Sequence, residues 1–281
     1  MSGVFSAGVA AGLQEMDAYG KIAAVYGSSA GVLCGAYFLT RQAEIGSTIF
    51  EDLTRGFVKP LRAPVGLSQR VWNRYVTDVP KESIWNVLDI DRLFQIVERE
   101  KPLDLARLKE QEIPLYAKLL DTASGEIEYV DARRGDSLSV LRAAVSIAPY
   151  YFQPVTVEGK DYIDGSVKEP LGLEKLLERH PENRIVAVIN EPVGRGLKHY
   201  AKNLAEGGIA SLMYGLPVLS HFLRREGRVR QDIQKAMEHE RVTLIHPPAN
   251  NPTVPRTTKL SKLWQTYQMG RKEAQKLGLL G

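Results

Sequence analysis

Residues 22–40 of the chain, IAAVYGSSAGVLCGAYFLT, contain the pattern that indicates the fold. The first five of them, 22–26, form a short continuous apolar run, which is typical of a fully buried strand. Residues 30–40 are apolar on nearly all sides of a helix, so this helix should be buried as well. The stretch therefore predicts a strand, a glycine-flanked turn and a helix, with Ser29 on the turn.

Residues 27–31 fit the pattern G-x-S-x-G, in which a serine on a strand-to-helix turn acts as a nucleophile. Such a turn leaves little room for side chains beside the serine, which explains Gly27 and Gly31. The N–H groups at the start of the helix favour negative charge, and that of Ala30 is a natural oxyanion donor. We interpret Ser29 as the nucleophile of a serine acyl hydrolase. The alternative is a glycine-rich joint without catalysis.

A serine nucleophile needs a base, and two candidates are present. Ser29, Asp164 and His246 follow the chain order of an α/β-hydrolase triad. That fold has several strands before its nucleophile, however, and the sequence has only one before Ser29. The other candidate is Asp164 itself, which ends a strand-like segment and is followed by Gly165, a residue that permits a sharp turn.

The remaining sequence alternates between helical and strand patterns, which predicts an α/β class and a single domain over residues 1–281. Residues 41–112 are harder to interpret. The expected helices cover residues 4–16, 83–98 in two pieces, 137–148, 171–179 and 260–279. The expected strands cover residues 113–120 and 127–130, joined at 124–125, then 155–163 as a pair folded at 158–159, 184–190 and 242–245.

The composition is that of a folded protein, with 44% hydrophobic and 25% charged residues among 281. The net charge of +4 is small, and without a nucleic-acid-binding motif it predicts no nucleic-acid partner. The single cysteine, Cys34, and five scattered histidines predict neither a disulfide nor a metal site. They favour a reducing compartment, the cytoplasm. The uncharged residues 1–14 lack the basic start of a signal peptide, and no transmembrane segment is expected.

At this point the sequence resembles the patatin-like phospholipase family. The nucleophile motif comes very early, after one helix and one strand. Residues 146–154, SIAPYYFQP, are similar to the family's stretch before its aspartate, and Asp164-Gly165 closes a short hairpin as the family's Asp-Gly pair does. The resemblance implies a three-layer α/β/α fold with a mainly parallel sheet. It also implies a Ser29–Asp164 dyad without histidine, a lipid or lysophospholipid ester as substrate, and no cofactor or metal.

The chain departs from the family pattern in two places. Ser166 stands where the family has glycine or alanine, which is a small change. The family also opens with a strand and a loop G-G-G-x-[KR]-G that supplies much of the oxyanion hole. Here Gly3 matches only the last glycine of that loop, Ser2 stands at its basic position, and the first strand is missing.

We therefore expect an oxyanion hole formed by Gly3 and Ala30. Either the start of the chain lies too far downstream, or part of the site has been lost. The competing prediction is a catalytically impaired patatin-like protein that binds lipid or a partner.

Residues 207–230 suggest a peripheral membrane contact. Residues 207–223 are largely apolar and are interrupted by Pro217, and four arginines follow. These arginines could bind lipid headgroups at a membrane surface. A buried helix pair with a solvated basic end is the alternative, and we favour it. The sequence does not indicate the oligomeric state or the headgroup preference. The four arginines are Arg224, Arg225, Arg228 and Arg230.

Overall fold

The computed structural model describes residues 3–57, 88–147, 150–151, 153–193, 216–253 and 257–277, and for residues 216–219 the backbone alone. The helices are α1 (Val4–Glu15), α2 (Ala30–Leu39), α3 (Ala43–Asp52), α4 (Ile90–Gln95), α5 (Leu105–Glu110), α6 (Ser137–Val145), α7 (Leu173–Arg179), α8 (Leu216–Glu238) and α9 (Leu260–Leu277). A π-helical turn, Ile96–Glu100, continues α4, and 3-10 turns occupy Ala18–Lys21 and Gly165–Val167.

The strands form two separate sheets in the described part of the chain. One sheet has the order β1-β2-β5-β4, with β3 on the other edge of β2, and the second consists of β6 and β7. Pairing is parallel between β1 and β2 and between β6 and β7, and antiparallel elsewhere, so the sheet structure is mixed. The strands are β1 (Val25–Gly27), β2 (Leu115–Asp121), β3 (Ile127–Asp131), β4 (Val155–Val157), β5 (Lys160–Asp164), β6 (Ile185–Val188) and β7 (Val242–Ile245).

Helices cover both faces of the larger sheet. Val25 of β1 packs beside Gly35 of α2 on one face. Tyr26, the next residue, hydrogen-bonds His180 at the end of α7 over 2.9 Å on the other face, as expected because alternate strand residues point in opposite directions. The predicted α/β class with helices on both faces is confirmed.

Helix α1 is buried along Val4–Gly12 because α9 packs against it at very short distance. A Cβ atom on Gly8 would lie 2.1 Å from the backbone oxygen of Tyr267, and one on Gly270 would lie 2.2 Å from that of Phe5. Gly8 and Gly270 therefore lie in the contact surface between the two helices.

Several sequence-based boundaries need correction. The strand predicted at 22–26 begins only at Val25, and the helix predicted at 137–148 ends at Val145. Helices α3 and α5 lie in the segment that we could not interpret. Pro217 is the second residue of α8, whose described part begins at Leu216. Residues 58–87 and 194–215, which include parts of the predicted 83–98 helix and the 207–223 segment, lie outside the described residues.

Strands β1 and β6 each pair with a described strand on one edge only. The other edge of each has no described partner, and residues of both strands line a common cavity. No helix within the described ranges has the length and apolar character that crossing a membrane requires.

Candidate active site

The predicted nucleophile and base meet because β1 and β5 run toward each other along the same edge of β2. Gly27 of β1 pairs with Ala117, and Asp164 of β5 pairs with Leu119. The opposite edge of β2 is occupied by β3 over residues 116–120. Both strands therefore end within two residues of each other on β2. The turn with Ser29 lies directly beyond Gly27, next to Asp164.

Ser29 adopts a strained backbone conformation, with φ 52° and ψ −140°. Serine rarely adopts a positive φ, and such strain is characteristic of functional turns. Its N–H is held by a 2.7 Å hydrogen bond to the carbonyl of Ala144. The predicted turn is therefore present, and its hydrogen bond to Ala144 holds it in place.

The two glycines of the motif are not equivalent. A Cβ on Gly27 would lie 2.6 Å from the Cα of Val32, so the turn requires glycine there. A Cβ on Gly31 would have no described atom within 4 Å. The prediction that both flanking positions exclude a side chain is therefore confirmed for Gly27 and wrong for Gly31, because the start of α2 leaves open space beside that residue.

The carboxyl group of Asp164 is completely buried. Its Oδ1 accepts a 2.9 Å hydrogen bond from the N–H of Ser166, and its own N–H donates to Ser146 O over 3.0 Å. Burial raises the pKa of Asp164 to about 6, while hydrogen bonds from Ser166, the charge of Arg225 and the Ser29 hydroxyl act in the opposite direction. A carboxyl with this pKa can exchange a proton near neutral pH.

The contact between Ser29 and Asp164 is looser than a regular hydrogen bond. The Ser29 hydroxyl is close enough to favour the ionised carboxylate. Oδ2 of Asp164 nevertheless has no hydrogen bond of ordinary geometry among the described residues. Hydrogen bonds between catalytic groups are often long at rest and shorten only as the reaction proceeds, so this geometry is compatible with proton transfer.

The end of α6 supports both residues. Ala144 O, near its end, accepts the N–H of Ser29, and Ser146 O, one residue beyond the helix, accepts the N–H of Asp164. The hydroxyl of Ser146 turns back to Arg142 O over 2.7 Å. The family-like sequence that begins at Ser146 was the available signal for this support, but its contacts were not predicted.

Gly3 lies against the nucleophile turn. A Cβ on Gly3 would be 2.4 Å from the Cβ of Ala30, so the starts of α1 and α2 are in direct contact. The N–H of Ser6 in α1 is already bound to Asn190 Oδ1 at 3.0 Å. The N–H groups of Gly31 and Val32 are directed to Ser28 O and Ser29 O.

The N–H of Ala30 makes no turn hydrogen bond among the described residues. It therefore remains available as a backbone donor beside Ser29, as expected for the first N–H of a helix.

No described histidine contacts Ser29 or Asp164. His246 Nδ1 lies 3.0 Å from the carbonyl of its neighbour Pro247, and His180 is engaged with Tyr26. The groups that act on the Asp164 carboxyl include Ser166, Arg225 and Ser29. The histidine-triad alternative is therefore wrong for His246, because this residue directly follows β7, a strand of the other sheet.

Lys118 is a buried residue that the sequence analysis missed. It lies on β2 between the partners of Gly27 and Asp164 and is 3% exposed. Its Nζ donates to three successive carbonyls, those of residues 169–171, at 2.9–3.0 Å. Burial lowers the pKa of Lys118 to about 8. The carbonyl of Lys118 also lies 2.6 Å from where a Cβ on Gly165 would be, so the turn after Asp164 requires glycine.

A cavity of about 2020 Å³ opens beside Ser29. It runs between β1 and β6 and is bordered by α1 and α8. Much of its lining is apolar, as illustrated by Leu13, Leu176, Val186, Ile189, Ile233 and Met237. Within the ranges that the structure describes, no group of three His, Cys, Asp or Glu side chains is arranged to hold a metal ion.

Two of the four arginines that were considered for lipid headgroups point into the protein. Arg225 donates to Ser166 O over 3.2 Å, and Arg228 donates to Lys168 O over 2.6 Å. Arg224 and Arg230 are exposed, and Arg230 lies 3.6 Å from Glu226. Two arginines of the basic cluster therefore bind backbone carbonyls, and the other two lie at the surface.

Comparison with known protein families identifies the family of the chain. Residues 1–177 match the family model described as Patatin-like phospholipase. No individual curated protein is significantly similar to the sequence. The matched region contains every residue that the sequence analysis assigned to catalysis.

Proposed function

Because the chain belongs to the patatin-like phospholipase family, we propose that it is a lipid acyl hydrolase in which Ser29 and Asp164 form the catalytic dyad. One observation supports this assignment above the others. A serine on a strained turn lies beside a fully buried carboxyl whose pKa is raised to about 6. A structural Asp-Gly turn does not require its carboxyl to be buried next to a hydroxyl.

In the proposed mechanism, Ser29 Oγ attacks the ester carbonyl while Asp164 accepts the hydroxyl proton. The tetrahedral oxyanion is stabilised by the N–H of Ala30 and by the start of α1 at Gly3. Collapse expels the alcohol, which takes the proton from Asp164, and leaves an acyl group on Ser29. Asp164 then removes a proton from water, the hydroxide attacks the acyl carbonyl, and Ser29 regains its proton as the fatty acid leaves.

The family and the cavity beside Ser29 support a proposal for the substrate class. An apolar cavity suits an acyl chain, because transfer of each buried methylene from water is favourable by about 0.8 kcal/mol. We propose a phospholipid, a lysophospholipid or another carboxylic ester of this type as the substrate. The cytoplasm is the proposed location, since the chain has one cysteine and gives no sign of disulfide cross-linking.

The test is labelling by a fluorophosphonate, which reacts only with an activated serine, combined with hydrolysis of a short-chain ester. We expect labelling of the wild type and loss of both signals by at least about a hundredfold in Ser29→Ala and Asp164→Asn. Ser28→Ala is the matched control, because it removes a neighbouring hydroxyl from the same turn, and it should still be labelled.

An unlabelled wild-type chain that still binds acyl lipids would contradict the enzymatic proposal. It would support the competing prediction of an impaired lipid-binding protein. Full activity in Ser29→Ala would contradict the proposed catalytic dyad.

A further inference from the structure

The segment that follows Asp164 is held by charged side chains from two other elements. From Ser166 to Gly172 its backbone groups bind side chains rather than a neighbouring strand. Lys118 of β2 binds the carbonyls of residues 169–171. Asp232 of α8 accepts the N–H groups of Leu171 and Gly172 at 3.1 and 3.2 Å.

Helix α8 supplies two further contacts to this segment. Arg228 donates to Lys168 O, and Arg225 donates through Nε to Ser166 O. The N–H of the same Ser166 donates to the carboxyl of Asp164. Arg225 and Asp164 therefore bind opposite sides of one residue.

Arg225 also acts on Asp164 through its charge. The groups that face the carboxyl are Ser29 from the nucleophile turn, Lys118 from β2, the Ser166 N–H, and Arg225 from α8. Lys118 has its ammonium directed at three carbonyls, and Glu169 and Asp232 attract it more strongly than Asp164 does. Arg225 is thus the cation whose effect on the ionised carboxyl of Asp164 is the larger, and it lines the same cavity as Ser29.

We propose that Arg225 is a positioning residue for Asp164: from α8 it fixes the turn that carries the carboxyl and holds a positive charge beside it. This inference rests on the proposed function, because a base has to be oriented only where it is used. It gives α8 a role in the reaction that is distinct from membrane contact. The positive charge keeps the buried Asp164 ionised at a pH at which burial alone would protonate it.

The experiment compares wild type, Arg225→Gln and Arg225→Lys by two measurements. The first is the ¹³C carboxyl titration of Asp164 by NMR, assigned with Asp164→Asn. The second is the rate of fluorophosphonate labelling of Ser29 between pH 4.5 and 9. Arg224→Gln is the matched control, since it removes the same charge from an exposed position one residue away on the same helix.

We expect Arg225→Gln to raise the pKa of Asp164 by roughly 0.5–1 pH unit, because an opposite charge has been removed. The pH at which the labelling rate falls on the acid side should rise by the same amount. The labelling plateau should fall as well, since the Ser166 carbonyl loses its donor. Arg225→Lys should bring the pKa of Asp164 most of the way back to its wild-type value but should restore less of the labelling plateau. Arg224→Gln should change neither quantity. If Arg225→Gln does not fold, Arg225→Met, which keeps the packing of the side-chain stem, takes its place.

An unchanged pKa of Asp164 in the Gln or Met variant, or an equal shift in Arg224→Gln, would overturn the role of Arg225. Failure of the proposed function would give a different result. Wild-type Ser29 would then resist labelling, whereas the NMR titration would still show whether Arg225 controls the carboxyl.

Discussion

Asp164 is the residue at which folding and the proposed chemistry have opposite requirements. Its carboxyl is completely buried and its Oδ2 has no regular hydrogen bond among the described residues. Burying an ionised carboxylate in this way is unfavourable, yet a base must be ionised to accept a proton. The structure reduces the conflict with the Ser166 N–H and the charge of Arg225.

This conflict predicts a pH-dependent stability. The pKa of Asp164 is raised from 3.8 to about 6 in the folded state, so between these values the folded chain binds protons more tightly than the unfolded chain. Its contribution to stability is therefore full below about pH 4 and is lost as the pH rises through 6. Asp164→Asn should be more stable than wild type by up to about 3 kcal/mol at pH 7.5, and little changed at pH 4.

Urea unfolding at the two pH values measures this difference. An Asn variant that is less stable than wild type at pH 7.5 would show that the buried charge is well compensated. In that case the raised pKa of Asp164 would not be the dominant feature of the site.

The two glycines of the nucleophile turn give a second prediction at the residue scale. Gly27→Ala should lower the free energy of unfolding by about 1–3 kcal/mol, because its Cβ would overlap the backbone of Val32. Gly31→Ala should be neutral or stabilising by up to about 1 kcal/mol, since it lies in the first turn of α2 with open space around it. Equal losses in urea unfolding would contradict this distinction.

At the scale of elements, features set by neighbouring residues could be predicted and features set by distant residues could not. The strand–turn–helix around Ser29 and the turn at Asp164-Gly165 follow from local backbone requirements. The burial of Lys118 does not, because a lysine within an apolar strand pattern gives no indication that carbonyls 51 to 53 residues later will surround its ammonium.

The predicted ends of helices and strands were wrong where hydrogen bonds outside the local pattern determined them. Helix α6 ends at Val145 rather than at residue 148, because the N–H groups of Ser146 and Ile147 bond to Ala143 O and Val145 O and not to carbonyls four residues back. Strand β1 starts late because its pairing with β2 begins only at Val25, opposite Leu115. The meeting of Ser29 with Asp164 was predicted from the family resemblance; its cause, two strands sharing one edge of β2, was not visible in the sequence.

The contact of α1 with α9 supplies a prediction at the same scale. Gly270→Ala places a methyl group 2.2 Å from the carbonyl oxygen of Phe5 and should cost about 1–3 kcal/mol of stability. Gly227→Ala is the matched control, because it lies within a helix, α8, and its Cβ would meet no described atom within 4 Å. It should stabilise the chain slightly, since alanine is the better helix former. Thermal unfolding of both variants measures the difference. A Gly270→Ala variant as stable as wild type would mean that α1 and α9 can move apart at little energetic cost.

At the scale of the whole molecule, the proposed site combines contributions from distant parts of the chain. The nucleophile follows β1, the base ends β5, and α8 holds the segment after the base. The larger sheet is mixed because β1 enters parallel to β2 whereas β5 enters antiparallel. This mixture brings the ends of two strands together on one edge, whereas neighbouring strands of a purely parallel sheet would lie side by side.

The close packing of α1 on α9 has a consequence for biosynthesis. Helix α1 precedes α9, the helix that covers its glycine face, by most of the described chain. Until α9 has been made, that face of α1 is exposed, and exposed apolar surfaces of this kind are bound by chaperones. Because Gly3 at the start of α1 belongs to the proposed oxyanion hole, we expect the proposed site to be complete only after this late helix has been made.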